Sequence, residues 1–204
     1  MDEITDSPQL YIRSFSSGAL QDGLTANVPG LLAVMDDFGF SEVFIETVGV
    51  GQINHAIHVM ADTVVLVLVP ESGDAIQAMK AGILEIADIY VINKADRPGA
   101  AQIRSELEGV LQISKKTTDD WQPPVVMTAA RKGDVGALNE AINEHQQWLR
   151  EHVDRQARTR QLRRYLATSL LEQRISEIAR TQPDATFDGE VADVIRTLLA
   201  GLDV

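Results

Sequence analysis

The chain has 204 residues, of which 45% are hydrophobic, enough to bury the core of one α/β domain with an appendage. Its net charge of −12 argues against general nucleic-acid binding, and the absence of cysteine excludes disulfides, thiolate catalysis and cysteine zinc sites. The longest apolar run, Val64 to Val69, is too short to cross a bilayer. We therefore predict a cytoplasmic protein that binds neither nucleic acid nor membrane.

Short apolar runs and helical periodicities alternate over residues 1–150. The Val/Leu run within Thr63–Val69 is typical of a strand buried on both faces of a parallel sheet. This alternation predicts right-handed crossovers and an α/β domain, a parallel sheet with helices on both faces. The predicted elements are strands at 10–13, 43–45, 63–69, 89–92 and 125–128, and helices at 29–38, 76–86, 103–111 and 135–149.

The pattern changes over residues 151–204, where two further helices are predicted at 162–178 and 191–199. Their apolar stripes indicate a helical arm that packs either on its own domain or on another chain, as in a homodimer. Six arginines fall between Arg150 and Arg164. They could meet a phosphate, an acidic partner or RNA, but the pairs Glu151–Arg155 and Asp154–Arg158 favour a solvated helix face.

Asn93-Lys94-Ala95-Asp96 follows a predicted buried strand and has the Asn-Lys-x-Asp pattern with which GTP-binding proteins read guanine. Ligands of open α/β sheets lie at the carboxyl ends of the strands. Asp96 can accept hydrogen bonds from both N–H donors on the Watson–Crick edge of guanine, which adenine lacks. Asn93 can bond the other polar edge and join loops, and the methylenes of Lys94 can cover the ring.

A second loop, Thr128-Ala129-Ala130-Arg131, follows the strand predicted at 125–128. GTPases usually have a Ser-Ala pair here, whose backbone N–H bonds the guanine oxygen. A backbone donor survives a change of side chain, so Ala129 can stand in place of Ser. We therefore predict that Ala129, Ala130 and Arg131 complete the base site.

The phosphate side of the site is predicted from weaker signals. Glu46 ends a strand and Gly49 follows, which fits a carboxylate that reaches Mg²⁺ through water and a backbone N–H beside a γ-phosphate. The glycines at 49 and 51 also fit a simple tight turn. Asp74, Gln77 and Lys80 stand at i, i+3 and i+6, where they could contact nucleotide, a loop or a partner, or belong to an ordinary capped helix.

No Gly-Lys dipeptide occurs in the chain, so the Gly-x-x-x-x-Gly-Lys-Ser/Thr loop that holds phosphates is missing. The four histidines offer no clear replacement. His55 and His58 stand at i, i+3, which can bind a metal, but no third ligand is evident. A surface or partly buried structural histidine is the better interpretation.

With these residues assembled, the chain resembles the ArgK/MeaB family of P-loop GTPases, the G-protein chaperones of adenosylcobalamin-dependent methylmalonyl-CoA mutase. The most specific match is Glu46-Thr47-Val48-Gly49-Val50-Gly51-Gln52, with Glu where most GTPases carry Asp. Further matches are Tyr11-Ile12-Arg13-Ser14, Gly73-Asp74, Gln77, Lys80-Ala81-Gly82, Glu85-Ile86-Ala87-Asp88, Asn93-Lys94-Ala95-Asp96, Trp121-Gln122-Pro123-Pro124-Val125 and the helix with His145.

The resemblance implies a P-loop NTPase fold of the SIMIBI class, without its first strand and phosphate loop. It places Glu46 and Gly49 in the Walker B and switch II loop, with Glu46 toward Mg²⁺. It also places residues 73–80, including Lys80, in the switch III loop that signals to the mutase. Glu46, Gly49 and Lys80 are the residues we expect to take part in catalysis. The C-terminal helices match the family's dimerisation arm.

The expected function is that of a GTP-binding and GTP-hydrolysing chaperone of methylmalonyl-CoA mutase or a related cobalamin-dependent acyl-CoA mutase, using GTP/GDP and Mg²⁺. The alternative is a non-catalytic interaction module that contacts the mutase without holding phosphates. Family members carry a phosphate-binding half ahead of the region where Met1 falls. We therefore expect a fragment, a misplaced start or one half of a split gene.

Overall fold

A computed structural model describes residues 10–14, 28–47, 55–70, 87–113 and 120–202 of the chain. Its elements in chain order are α1 (Val28–Asp37), α2 (His55–Met60), β1 (Val65–Leu68), β2 (Ile89–Ile92), α3 (Ala100–Ile113), β3 (Val125–Met127), a 3-10 helix (Ala130–Lys132), α4 (Gly136–His152), α5 (Arg155–Thr181), a second 3-10 helix (Asp184–Asp188) and α6 (Val191–Ala200).

The three strands form a parallel sheet in the order β1-β2-β3. The register pairs Leu68 with Ile92 and Ile92 with Met127, so all three strands end at the same edge. Parallel neighbours need a crossover connection, and α3 lies in the connection between β2 and β3. The predicted α/β class with a parallel sheet is confirmed.

Strand β2 is buried on both faces, because successive side chains point to opposite sides of the sheet. Tyr90 and Ile92 pack in one cluster with Leu107 of α3. Ile89 and Val91 pack in a second cluster with Ala141 of α4. Helices therefore cover both faces of the sheet, as predicted.

Strand β1 departs from the prediction of burial on both faces. Leu66 and Leu68 are buried in the α3 cluster, and Val65 packs on the α4 side. Val67 shares the face of Val65 but is 52% exposed. A Val/Leu run is thus compatible with one uncovered position, which only the tertiary packing determines.

The strands predicted at 10–13 and 43–45 are wrong. Both segments lie outside the sheet, and Tyr11 and Phe44 are 53% and 85% exposed. An apolar run becomes a strand only when its backbone groups pair with a neighbour. The helices predicted at 29–38, 103–111 and 135–149 are confirmed within a few residues, and the helix predicted at 76–86 lies outside the described ranges.

After α4 the chain turns at Val153, and α5 begins after Asp154, whose side chain accepts a hydrogen bond from the Gln156 N–H at 2.8 Å. Helix α6 packs back on α5, and a Cβ added at Gly201 would lie 3.1 Å from Ile178. Both helices predicted beyond residue 150 are confirmed, while the domain division there stays a prediction. None of the described helices is long and apolar enough to cross a bilayer.

The arginines at the start of α5 are paired differently from the prediction. Arg158 contacts Asp62 at 3.2 Å and donates to the Ala61 carbonyl, which ties α5 to the end of α2. Asp154 lies 3.6 Å from Arg160 instead of pairing with Arg158. The turn at Val153 interrupts the helical spacing on which the predicted pairs depended.

Candidate functional site

The carboxyl ends of β2 and β3 bring the two predicted base-site loops side by side. Asn93 follows β2 and Thr128 follows β3 directly. The Thr128 N–H donates to the Ile92 carbonyl at 3.0 Å, and the Ala95 N–H donates to the Thr128 carbonyl at 2.9 Å. The sheet's hydrogen bonding thus continues past the strands and holds the loops together.

The side-chain oxygen of Asn93 is the centre of this arrangement. It accepts from the Lys94 N–H at 2.8 Å, the Thr128 hydroxyl at 3.2 Å and the Ala130 N–H at 3.3 Å. The Asn93 N–H donates to the Leu68 carbonyl at 2.9 Å, which adds the end of β1. Asn93 therefore joins both loops through its oxygen, and none of these contacts uses its amide NH₂ group.

Lys94 has a left-handed backbone, with φ of 58°. For a residue with a Cβ this conformation costs roughly 1–2 kcal/mol. The turn is held by the bond from the Lys94 N–H to Asn93 and by the Arg97 N–H, which donates to the Lys94 carbonyl at 2.9 Å. Strained backbone of this kind is concentrated at ligand sites, where the surrounding contacts maintain it.

Asp96 lies in the turn that follows and is 39% exposed at its side chain. Its Oδ2 lies 2.9 Å from the Lys132 ammonium. The hydrogen bond from Lys132 is the main reason that the pKa of Asp96 lies below its usual value of 3.8. Asp96 is therefore an ionised acceptor at neutral pH, which is the form that reading guanine requires.

The loop after β3 folds back on itself. The Ala129 N–H donates to the Asp134 carbonyl at 3.1 Å, and the Lys132 N–H donates to the Ala129 carbonyl at 2.8 Å. Gly133 has φ of 74°, which lets the chain return toward β3. This turn carries Lys132 to Asp96 and leaves Arg131 exposed at the loop surface.

The structure brings together all six residues predicted for the base site: Asn93, Lys94, Asp96, Ala129, Ala130 and Arg131. Sequence reasoning missed Lys132 and the Thr128 hydroxyl. The Thr128 side chain was available as a signal, because it stands directly at a strand end. The reach of Lys132 to Asp96 had no sequence signal, since it depends on the shape of the turn.

The predicted phosphate-side residues are not assembled within the described ranges. Glu46 is exposed in segment 42–47, which has no regular structure. Gly49 and Lys80 lie outside the described residues. Across the part of the chain that the structure describes, no three His, Asp or Glu side chains form a group that could hold a metal. The role of Glu46 toward Mg²⁺ therefore stays a prediction.

The amino ends of the strands hold a second polar network, around His145 of α4. His145 is 2% exposed, with Thr63 Oγ1 3.0 Å from Nδ1 and Asp88 Oδ1 3.6 Å from Nε2. Asp88 also accepts from the Val64 N–H at 2.8 Å and, at its carbonyl, from the Trp121 indole N–H at 2.7 Å. These contacts join α4 to the starts of β1, β2 and β3.

Burial lowers the pKa of His145 below 6.5, because the charged ring would lose its hydration. Asp88 acts in the opposite direction and Arg158 acts with the burial. A neutral ring with its proton on Nε2 accepts from the Thr63 hydroxyl at Nδ1. The Trp121 ring packs on it with the ring centroids 4.7 Å apart. These contacts fit a structural histidine, but the His145 ring is fully buried and not at the surface or partly buried as predicted.

The family comparison agrees with these motifs. A family model described as methylmalonyl Co-A mutase-associated GTPase MeaB matches residues 1–184. The chain belongs to the MeaB family. The match covers the sheet, the base-site loops and all of α5, so membership rests on most of the described structure.

Individual relatives support the same membership. A protein of Pyrococcus abyssi named "Putative GTPase" is 38% identical over 201 residues, which cover 96% of this chain and 60% of the relative. A Caulobacter vibrioides protein of the same name is 30% identical over 90% of this chain and 57% of its own length. The mouse protein named methylmalonic aciduria type A homolog, mitochondrial, is 28% identical over 90% of this chain and 45% of its own. The chain thus spans about half the length of these relatives.

Proposed function

We propose that this chain carries the guanine-reading part of a GTPase site at the carboxyl edge of its sheet. The observation that carries the proposal is the contact set of Asn93, whose oxygen joins both loops while Asp96 stands ionised beside them. These hydrogen bonds hold both loops together before a ligand binds, which reduces the conformational freedom lost on binding. MeaB-family membership supports a guanine nucleotide as that ligand.

Each residue has a distinct task in this proposal. Asp96 accepts the N1–H and the 2-amino group of guanine, and the Asn93 amide donates to the opposite edge. The Lys94 methylenes cover the ring face. Backbone N–H groups of the 129–131 loop face the guanine oxygen. Ala129 and Ala130 N–H groups donate within the protein in the described state, so this last contact requires the loop to adjust.

GTP hydrolysis is the proposed activity of the site when phosphates and Mg²⁺ are held. Mg²⁺ would supply neutralisation of the charge that develops on the phosphates. Glu46 would orient the metal through water, the Gly49 N–H would approach the γ-phosphate, and Lys80 would add a cation. The proposed partner is methylmalonyl-CoA mutase or a related cobalamin-dependent acyl-CoA mutase, which the name of the family suggests. We propose a cytoplasmic location for this activity.

A second candidate is an interaction module that contacts the mutase without holding phosphates. The absence of a Gly-Lys dipeptide favours it. So does an apolar surface on the arm, where Val191, Ile195 and Leu199 recur every four residues and are 72%, 50% and 51% exposed. A stripe of this kind suits contact with a second copy, as in the proposed homodimer, or with another protein.

The exchange of Asp96 for Asn tests the guanine proposal. Asn offers one acceptor and one donor pair in place of a carboxylate, so GDP affinity should fall about ten- to a hundredfold. Xanthosine diphosphate has a carbonyl where guanine has the 2-amino group, and an Asn amide can donate to it. Calorimetric titration of the chain with GDP and xanthosine diphosphate, in the presence of Mg²⁺, measures both affinities.

The expected result is a switch of preference toward xanthosine diphosphate with unchanged thermal unfolding, because Asp96 is exposed. An equal loss of affinity for both nucleotides would indicate that the substitution disrupts the loop. Failure of the original chain to bind GDP would contradict the guanine proposal. GTP turnover measured on the same samples separates the two candidates, since an interaction module binds its partner without releasing phosphate.

A further inference from the structure

The carboxylate that should read guanine already has a partner inside the protein. The Lys132 ammonium lies 2.9 Å from Asp96 Oδ2. Lys132 ends the 3-10 helix Ala130–Lys132, whose first N–H is bonded to Asn93. Both ends of this 3-10 helix therefore contact the Asn93–Asp96 turn, Ala130 through a hydrogen bond and Lys132 through an ion pair.

Guanine and the ammonium compete for the same acceptor. Two parallel N–H bonds from guanine need both oxygens of Asp96 in one plane, while Lys132 draws one of them toward itself. The contact of Lys132 with Asp96 is also weak. The Lys132 side chain is 64% exposed, so its ion pair is weak and its long stem can leave into water.

We propose that Lys132 is the resident counter-ion of Asp96 in the nucleotide-free protein and is displaced by guanine, so that it lowers the affinity of the site for guanine. This inference rests on the proposed function. Adenine presents an acceptor at N1 instead of a donor, so it cannot replace the ammonium on Asp96 and leaves the ion pair in place. Only a base with two adjacent donors can replace the hydrogen bond and ion pair that Asp96 loses when Lys132 leaves.

The chain keeps positive charge near Asp96 after the displacement. Arg97 also lowers the pKa of this carboxylate through its charge, and it belongs to the same turn. Asp96 therefore stays ionised when Lys132 leaves, which a guanine reader requires. Lys132 acts on affinity by occupying the acceptor, and the ionisation of Asp96 does not depend on it alone.

Replacement of Lys132 by Gln tests the proposal, with Lys132→Arg as the charge-retaining variant. Arg104→Gln is a matched control, because it also removes one exposed cation, from an ion pair at 2.8 Å on α3. Calorimetric titrations with GDP and with ADP, in Mg²⁺ at low and high salt, give the affinities. Titration of the Asp96 carboxyl by carbon NMR, without nucleotide, measures the ion pair directly.

Lys132→Gln should bind GDP about two- to fivefold more tightly at low salt, because a surface ion pair no longer has to be broken. High salt should remove most of the gain. The ADP affinity of Lys132→Gln should stay close to that of the original chain. The GDP affinities of Lys132→Arg and Arg104→Gln should also stay close to the original value. The Asp96 pKa should rise in Lys132→Gln only.

Three results separate failure of this inference from failure of the guanine proposal. If the original chain binds GDP and Lys132→Gln binds it equally or more weakly, Lys132 does not compete and the inference alone is overturned. An unchanged Asp96 pKa in Lys132→Gln also overturns it, whatever the nucleotide result. If no variant binds GDP, the guanine proposal fails and the displacement fails with it.

Discussion

The two ends of strand β2 are built differently, although only four residues separate them. At the amino end, Asp88 belongs to a network around His145, which is 2% exposed. At the carboxyl end, Asp96 and Lys132 are 39% and 64% exposed. The closed end supports the fold, while the open end can exchange protein partners for a ligand. Substitutions at the two ends should therefore change different measured quantities.

The largest expected effect is at the closed end. Trp121→Ala removes the indole that packs on His145 and donates to the Asp88 carbonyl, so the free energy of unfolding should fall by about 3 kcal/mol. Trp121→Phe keeps much of the ring contact and loses the hydrogen bond, at a cost of about 1 kcal/mol. Urea unfolding followed by circular dichroism measures both.

Phe38→Ala is the control for these two variants, because Phe38 is a large aromatic residue that is 82% exposed. Its effect should stay within about 0.5 kcal/mol. The division of roles between the two ends would be contradicted if Trp121→Ala lowered the free energy of unfolding no more than this control. It would also be contradicted if Trp121→Ala changed GDP affinity and left the free energy of unfolding unchanged.

A smaller effect is expected at the open end. Asn93→Ala removes the oxygen that accepts three hydrogen bonds, so both loops lose their common anchor. GDP affinity should fall about tenfold, while stability falls by only about 1 kcal/mol. Thr128→Val removes one of the three donors and keeps the volume, so both of its effects should be smaller. A loss of stability without loss of affinity would show that Asn93 serves the fold alone.

The smallest expected effect is a pH dependence that arises at the closed end. The pKa of His145 in the folded chain lies below its unfolded value of 6.5. Between the folded and the unfolded pKa, the unfolded chain therefore binds more protons than the folded chain. This contribution to stability is fully present above pH 6.5 and is lost as the pH falls below it. The charges that act on the ring are those of Asp88 and Asp62, which raise its pKa, and of Arg158 and His58, which lower it.

Urea unfolding below and above pH 6.5 measures this contribution, and His145→Asn should reduce the difference. Arg158→Gln should move the His145 pKa back toward its usual value and flatten the profile, because Arg158 disfavours the charged ring. His152→Gln is the control, since His152 is exposed and its Nδ1 lies 2.9 Å from the Trp148 carbonyl of the same helix. If His152→Gln reduced the stability difference between the two pH values as much as His145→Asn, the pH dependence would not arise from His145 alone.

The sequence predicts the open end better than the closed end. Asn93 and Asp96 stand within one short turn after an apolar strand, so a local pattern identifies them. The closed end depends on long-range contacts, such as that between Thr63 and His145, which are 82 positions apart. No periodicity in the chain relates these two residues.

Tertiary context also accounts for the other differences. Val67 belongs to a uniform Val/Leu run, yet the helix that covers Val65 leaves it exposed. Lys132 reaches Asp96 from a loop that folds back on itself through hydrogen bonds between Ala129 and Asp134. The apolar runs at 10–13 and 43–45 resemble strands, but strand formation depends on a neighbour that their own residues do not specify.

The placement of Trp121 has a practical consequence for spectroscopy. The chain has two tryptophans, and both contact histidines at the closed end: Trp121 packs at a tilt against His145, and Trp148 stacks on His152. The Asn93 turn lies roughly 16 Å away along β2, at about 3.3 Å per residue. Intrinsic fluorescence therefore reports on the histidine network and on its protonation. A labelled nucleotide is needed to observe the other end of the same strand.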